Sequence, residues 1–73
     1  MKWPRREVIE RLREQYPNGC TVVLDHMDDP QAPPEGTQGT VVAVDALGDI
    51  IVRWSTGSGL AVVYGVDKCH RIK

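Results

Sequence analysis

Hydrophobic and polar positions along this chain change period once, near residue 19. Before it, Val8, Ile9, Leu12 and Tyr16 fall at i, i+1, i+4 and i+8, one apolar stripe that predicts a helix over residues 4–16. Pro4 suits the first turn of such a helix, where its missing N–H costs nothing. Glu7 and Arg11 stand four apart in the favoured orientation for an ion pair. Pro17 blocks continuation and Asn18-Gly19 can turn, so the helix ends there. After that the period shortens to two. Short β-branched runs at residues 20–24, 37–44, 50–54 and 60–64 predict strands, with a closing strand at 70–72. Asp45-Ala46-Leu47-Gly48 and Ser55-Thr56-Gly57-Ser58-Gly59 read as the turns between them, with Gly48 placed for a positive φ. Residues 65–69 suit one tight helical turn.

The longest interval between strands, residues 25–36, carries Pro30, Pro33 and Pro34 and runs into Gly36-Thr37-Gln38-Gly39-Thr40-Val41. Five short strands, a long loop after the first and a helical turn before the last describe a mainly β chain. The expected fold is a small SH3-like five-stranded barrel with an N-terminal α-helix. Closure of that kind removes most exposed sheet edge. One domain is expected, with the helix and its turn in residues 1–19 and the barrel in residues 20–73.

Composition sharpens this picture. Seventy-three residues lie near the lower size limit for burying a useful core, and an apolar content of 41% is that of a folded chain. There is no Phe, so the core is built from Val, Ile, Leu, Ala, two Trp and two Tyr. No run of about 18 apolar residues suggests a membrane span. Residues 1–6 lack the apolar segment of a secretory signal, so a cytoplasmic setting is the expectation. The net charge of −1 hides an asymmetry. In residues 1–19, Lys2, Arg5, Arg6, Arg11 and Arg13 outnumber three glutamates; in residues 20–73, seven carboxylates outnumber four cations. An acidic barrel argues against a broad phosphate-binding face there. Cys20 and Cys69 form no CxxC, and the simplest reading is two free thiols. Their places near the starts of the first and last strands still leave a disulfide geometrically open.

Several blocks together resemble a known family, the small bacterial and phage proteins described as domain of unknown function 4314. They are Tyr16-Pro17-x-Gly19, Met27-Asp28-Asp29-Pro30, Pro33-Pro34-x-Gly36-Thr37-x-Gly39-Thr40-Val41, Val44-Asp45, the Ile50–Val52 alternation ending in Trp54, and Gly65-Val66-Asp67-Lys68. The similarity covers about residues 16–72. The chain departs from the family at Cys20, where Thr is usual, and at Cys69, where Phe is usual. Cys69 therefore reads as a small core filler rather than a reactive thiol. The resemblance implies a compact barrel and occurrence near mobile-element genes; it implies no established activity.

Asp25, Asp28, Asp29 and Glu35 gather oxygens on one loop, but their spacing lacks the alternating ligands and central glycine of a calcium loop. Asp28 before Asp29-Pro30 reads instead as a turn cap accepting backbone N–H groups. Cys20, His26, Cys69 and His70 contain no close ligand pair for zinc, and adjacent Cys69-His70 would point apart in a strand. Asp25 and His26, on opposite strand faces, make a poor relay, and a barrel this small fills its interior with its own side chains. A module without catalysis or cofactor is expected.

Two binding readings remain. In the first, the loop from His26 to Glu35 forms a protein-binding groove: Met27, Asp28, Asp29, Pro30, Pro33 and Pro34 give it a rigid edge, with Trp54 and Tyr64 as candidate walls. Trp54 also follows the alternation of Ile50 and Val52, which places it on the buried face. In the second, Lys2, Arg5, Arg6, Arg11 and Arg13 on the helix, beside Trp3, contact nucleic acid. A monomer or weak homodimer is expected in either case.

Overall fold

The computed structural model describes residues 5–73. Lys2, Trp3 and Pro4, with the helix start assigned to Pro4, lie outside the described residues. The helix α1 spans Arg6–Gln15; Arg5 is its extended N-cap and supplies no side-chain cap. Glu7 in the first turn offsets the positive helix end that Arg5 and Arg6 oppose. The i,i+4 ion pair that forms is Arg6–Glu10, at 3.3 Å, rather than Glu7–Arg11. Of the expected stripe, Ile9 and Leu12 pack half-buried against the core and Tyr16 is part of it.

Four strands follow, β1 (Thr21–His26), β2 (Gln38–Val44), β3 (Ile50–Trp54) and β4 (Lys68–Arg71). They form one antiparallel sheet in the order β3-β2-β1-β4. The chain is thus mainly β, an open four-stranded sheet with one helix. The expected five-stranded closed barrel is corrected here, because residues 60–64 form no strand. What remains of it is a single bridge between Ile50 and Val62.

The reason is visible in the hydrogen bonds. Ile50 and Val62 exchange both backbone bonds, at 3.0 and 2.8 Å, and Trp54 N–H donates to Ser58 O at 2.9 Å. That register sets Val52 opposite Leu60. The rung between them is missing because both Leu60 groups are engaged elsewhere. Leu60 O accepts from the Trp54 indole Nε1–H at 2.8 Å, and Leu60 N–H donates to Ser58 Oγ at 3.3 Å. A side chain competing for the backbone breaks the ladder in its middle.

Alternation builds the core. Val22 and Leu24 of β1, Val41 and Val44 of β2, and Ile50, Val52 and Trp54 of β3 are buried, with Tyr16, Cys20 and Val62 closing the cluster. Val41 and Val44 sit three apart, yet both face inward, because a bulge between Val41 and Ala43 resets the pleat. The turn from β2 to β3 is held by Asp45, whose Oδ1 accepts the N–H groups of Leu47 and Asp49 at 2.9 and 3.0 Å. Gly48 takes the expected positive φ of 83°.

Both cysteines are free. The first and last strands are neighbours, but they run antiparallel, and Cys69 pairs with Leu24 rather than with Cys20. Four strand residues span about 13 Å, well beyond the roughly 7 Å between Cα atoms that a disulfide tolerates. Among the described residues, no helix is long and apolar enough to cross a membrane.

Candidate functional site: a groove beside the 62–68 turn

The segment after Val62 owes its shape to two carboxylates. Val66 and Asp67 N–H both donate to Val63 O, at 3.1 and 2.9 Å. The Asp67 carboxylate folds back: Oδ2 accepts Val63 N–H at 2.9 Å, and Oδ1 accepts Asp28 N–H from the long loop at 2.8 Å. On the other side, Asp49 Oδ1 accepts Tyr64 N–H at 3.0 Å. The turn is tied to the Pro-rich loop by one carboxylate and to the β2–β3 turn by the other. On this tethered backbone Val63, Tyr64 and Val66 stand 41%, 45% and 49% exposed.

Hydrogen bonds to a charged acceptor contribute about 1.5–3 kcal/mol each, less where solvent competes. Asp67→Ala is therefore expected to lower stability by about 1–3 kcal/mol, and to accelerate hydrogen exchange at the Asp28 and Val63 amides. Asp67→Asn, which keeps one acceptor oxygen, should fall between. Unchanged exchange at both amides in Asp67→Ala would mean that the carboxylate does not hold the loop.

Between this turn, α1 and Gly48 lies a groove of about 490 Å³. Leu12 of α1 and Tyr16 at its C-cap, Ile50 of β3, Val62 and Tyr64 supply its apolar lining, and Asp25, Asp67 and Lys68 its charged groups. Cys69 also lines it, half-buried. Burial, then the charge of Asp25, then Cys20, push the Cys69 thiol up to about 11. Burial likewise raises the Tyr16 phenol, with smaller contributions from Cys69, Cys20 and Asp25. Near neutral pH Cys69 is the protonated thiol, a poor nucleophile. Asp25, set in the bulge between Leu24 and His26, pairs across to β4: His70 Nδ1 lies 2.8 and 2.9 Å from its two oxygens. A carboxylate only accepts, so Nδ1 carries the hydrogen.

The residues singled out in the sequence are placed as follows. Tyr64 lines the groove; Met27, Asp28, Asp29, Pro30, Pro33 and Pro34 do not. Met27 packs against the core and Pro33 is buried, while Asp28, Asp29, Pro30 and Pro34 are exposed. The turn cap is Asp29, whose Oδ1 accepts Gln31 N–H at 2.7 Å; Asp28 contributes its own N–H to Asp67 instead. Trp54 is a core residue, 1% exposed, and forms no wall beside Tyr64. Arg5, Arg6, Arg11 and Arg13 are all exposed, with Arg6 on Glu10 and Arg13 Nε donating to Val44 O at 3.2 Å. Lys2 lies outside the described residues. His26 sits 4.0 Å from Glu35, and among the described residues no three His, Cys, Asp or Glu side chains come together as metal donors.

Val63, Val66 and Asp67 were not singled out, although Gly65-Val66-Asp67-Lys68 was visible as a block. Val63 falls within the strand expected over residues 60–64. The signal was available: an Asp after Gly in a short interval, where a carboxylate commonly holds backbone N–H groups.

Fold and groove together define a small mainly β domain with one flanking helix. The chain belongs to the family described as Domain of unknown function (DUF4314), which it matches over residues 5–72. That span takes in α1 as well as the sheet, so the helix is part of the family's unit. No curated protein and no solved structure matches the chain.

Proposed function

We propose that this protein is a non-catalytic protein-binding module whose contact surface is the groove beside Tyr64. One observation carries the reading: three apolar side chains stand exposed on a turn whose backbone is tied down by Asp49 and Asp67, next to an apolar groove. Contiguous exposed apolar surface marks interaction sites, and a surface already ordered loses little entropy on binding. The Pro-rich loop then acts as a brace for this surface, through Asp28, rather than as the surface itself.

The finer fold belongs to the same reading. The order β3-β2-β1-β4, with Val62 in register beyond β3, supports an open SH3-like barrel whose fourth strand is reduced to one bridge. Two free thiols suit a cytoplasmic setting, in the bacterial and phage mobile-element context that the family resemblance implies. The competing reading, nucleic-acid contact through Arg5, Arg6, Arg11 and Arg13, has less behind it. Arg6 faces Glu10, and Arg13 is engaged with the Val44 carbonyl.

Photo-crosslinking separates them. A benzophenone side chain at Val66, in the groove's turn, is compared with one at Thr40, exposed on the opposite face of β2. A discrete protein adduct from position 66 and none from position 40, in lysate of the source organism, is the expected result. Equal labelling at both positions, or an adduct that disappears on nuclease treatment, would overturn the reading.

A further inference from the structure

We infer that the groove takes a basic segment of its partner protein, an extended peptide in which an apolar side chain stands next to a lysine or arginine. This rests on the groove being a protein-binding surface and adds the chemistry of what binds. Two carboxylates, Asp25 and Asp67, line it, and a third, Asp49, is next in the chain to two of its lining residues, Gly48 and Ile50. All three are oriented by hydrogen bonds: Asp67 by Asp28 and Val63 N–H, Asp49 by Tyr64 N–H, and Asp25 by His70. Backbone donors orient Asp49 and Asp67 without cancelling their charge, whereas Asp25 is held by the His70 ring. Among the described residues none of the three pairs with a lysine or arginine, and Lys68 is the one cation in the lining.

An apolar groove with an excess of negative charge at its rim concentrates field and selects a cation. A lysine or arginine can lay its aliphatic stem along Ile50 and Val62 and keep its charged head at the carboxylates. The exposed Tyr64 ring offers that head a π-face. An acidic segment would meet like charge, and a purely apolar one would leave the carboxylates unanswered.

The test uses the full-length, isotopically labelled protein and two probe peptides, acetyl-Leu-Arg-Leu-Arg-amide and acetyl-Leu-Glu-Leu-Glu-amide. The arginine probe is expected to shift the amides of Val63, Tyr64 and Asp67, and to weaken as salt screens the rim; the glutamate probe should leave them in place. Asp25→Asn should weaken the arginine probe about two- to fivefold, the range of an exposed charge pair. Lys68→Glu should tighten it by a similar factor. Equal shifts with both probes, or no shifts with either, would overturn the inference. So would concentration-dependent shifts at the same amides without any peptide, together with sedimentation as a dimer, because a second copy would then be the occupant. If position 66 still crosslinks a protein while the arginine probe fails, the binding module stands and only the basic partner falls.

Discussion

Trp54→Ala is expected to remove a large share of the domain's stability. The indole is 1% exposed, belongs to the buried cluster built from β1, β2 and β3, and donates to Leu60 O at 2.8 Å. Truncating a buried Trp costs about 3–5 kcal/mol in lost transfer and cavity energy. A domain of this length has a total stability of roughly 4–11 kcal/mol, from about 0.05–0.15 kcal/mol per residue. The loss should lower Tm by about 15 °C or more. Thermal and urea unfolding followed by circular dichroism measure it, and a near-native Tm would show that the core does not depend on the indole.

Trp54→Phe separates the two roles of the side chain. It keeps most of the aromatic volume and removes the N–H, so the expected loss is only about 1–2 kcal/mol. It also frees the Leu60 carbonyl. The missing rung to Val52 can then close, and slower hydrogen exchange at the Val52 amide is the expected sign. Unaltered exchange there would mean that something other than the indole keeps residues 60–64 out of the sheet.

The second large effect is expected at Gly39. This residue lies on the core face of β2, paired with Trp54 of β3. A Cβ placed on it would overlap Val52 Cγ1 and lie 2.7 Å from Trp54 Cε3 and 3.1 Å from Arg53 O. The glycine makes room for the aromatic ring lying over the strand. The first two obstacles are tightly packed core side chains and the third is backbone, so none can move cheaply. Overpacking of this kind costs about 1–3 kcal/mol, occasionally more. Gly39→Ala should fall at the upper end and Gly39→Val beyond it, with Tm falling by at least about 10 °C. Since Gly39 and Trp54 share one contact, their effects should not add. A double-mutant cycle with Trp54→Leu should give a coupling of about 0.5 kcal/mol or more. Full additivity would place the obstruction elsewhere.

These two residues differ in how readable they were. Trp54 could be assigned to the core from its alternation with Ile50 and Val52, while the same sequence also offered it as a groove wall. The alternation decided correctly because a period of two is a property of neighbouring residues. Gly39 was visible as part of the glycine-gated start of β2, but the need for glycine there comes from Val52 and Trp54 on another strand. The strand expected over residues 60–64 had the right residue types and, at Val62, the right register. It failed because the Trp54 indole takes a carbonyl that the ladder required, and no period reveals which donor wins an acceptor. The groove beside Tyr64 was not legible for a related reason. Prolines and aspartates drew attention to residues 26–35, whereas the exposed apolar turn depends on Asp67 gripping a backbone N–H 39 positions earlier.

By itself the sequence determined what neighbours within a turn or a strand can decide. That covers the helix and its core-facing stripe, the hairpin of β2 and β3 with Gly48 at its corner, the mainly β class and the family. The tertiary structure alone decided the open edge, the separation of the two thiols, the pairing of Asp25 with His70 and the groove beside Tyr64. Each of these depends on a hydrogen bond or packing contact between residues distant in the chain, where several partners compete and only docking of the elements selects one.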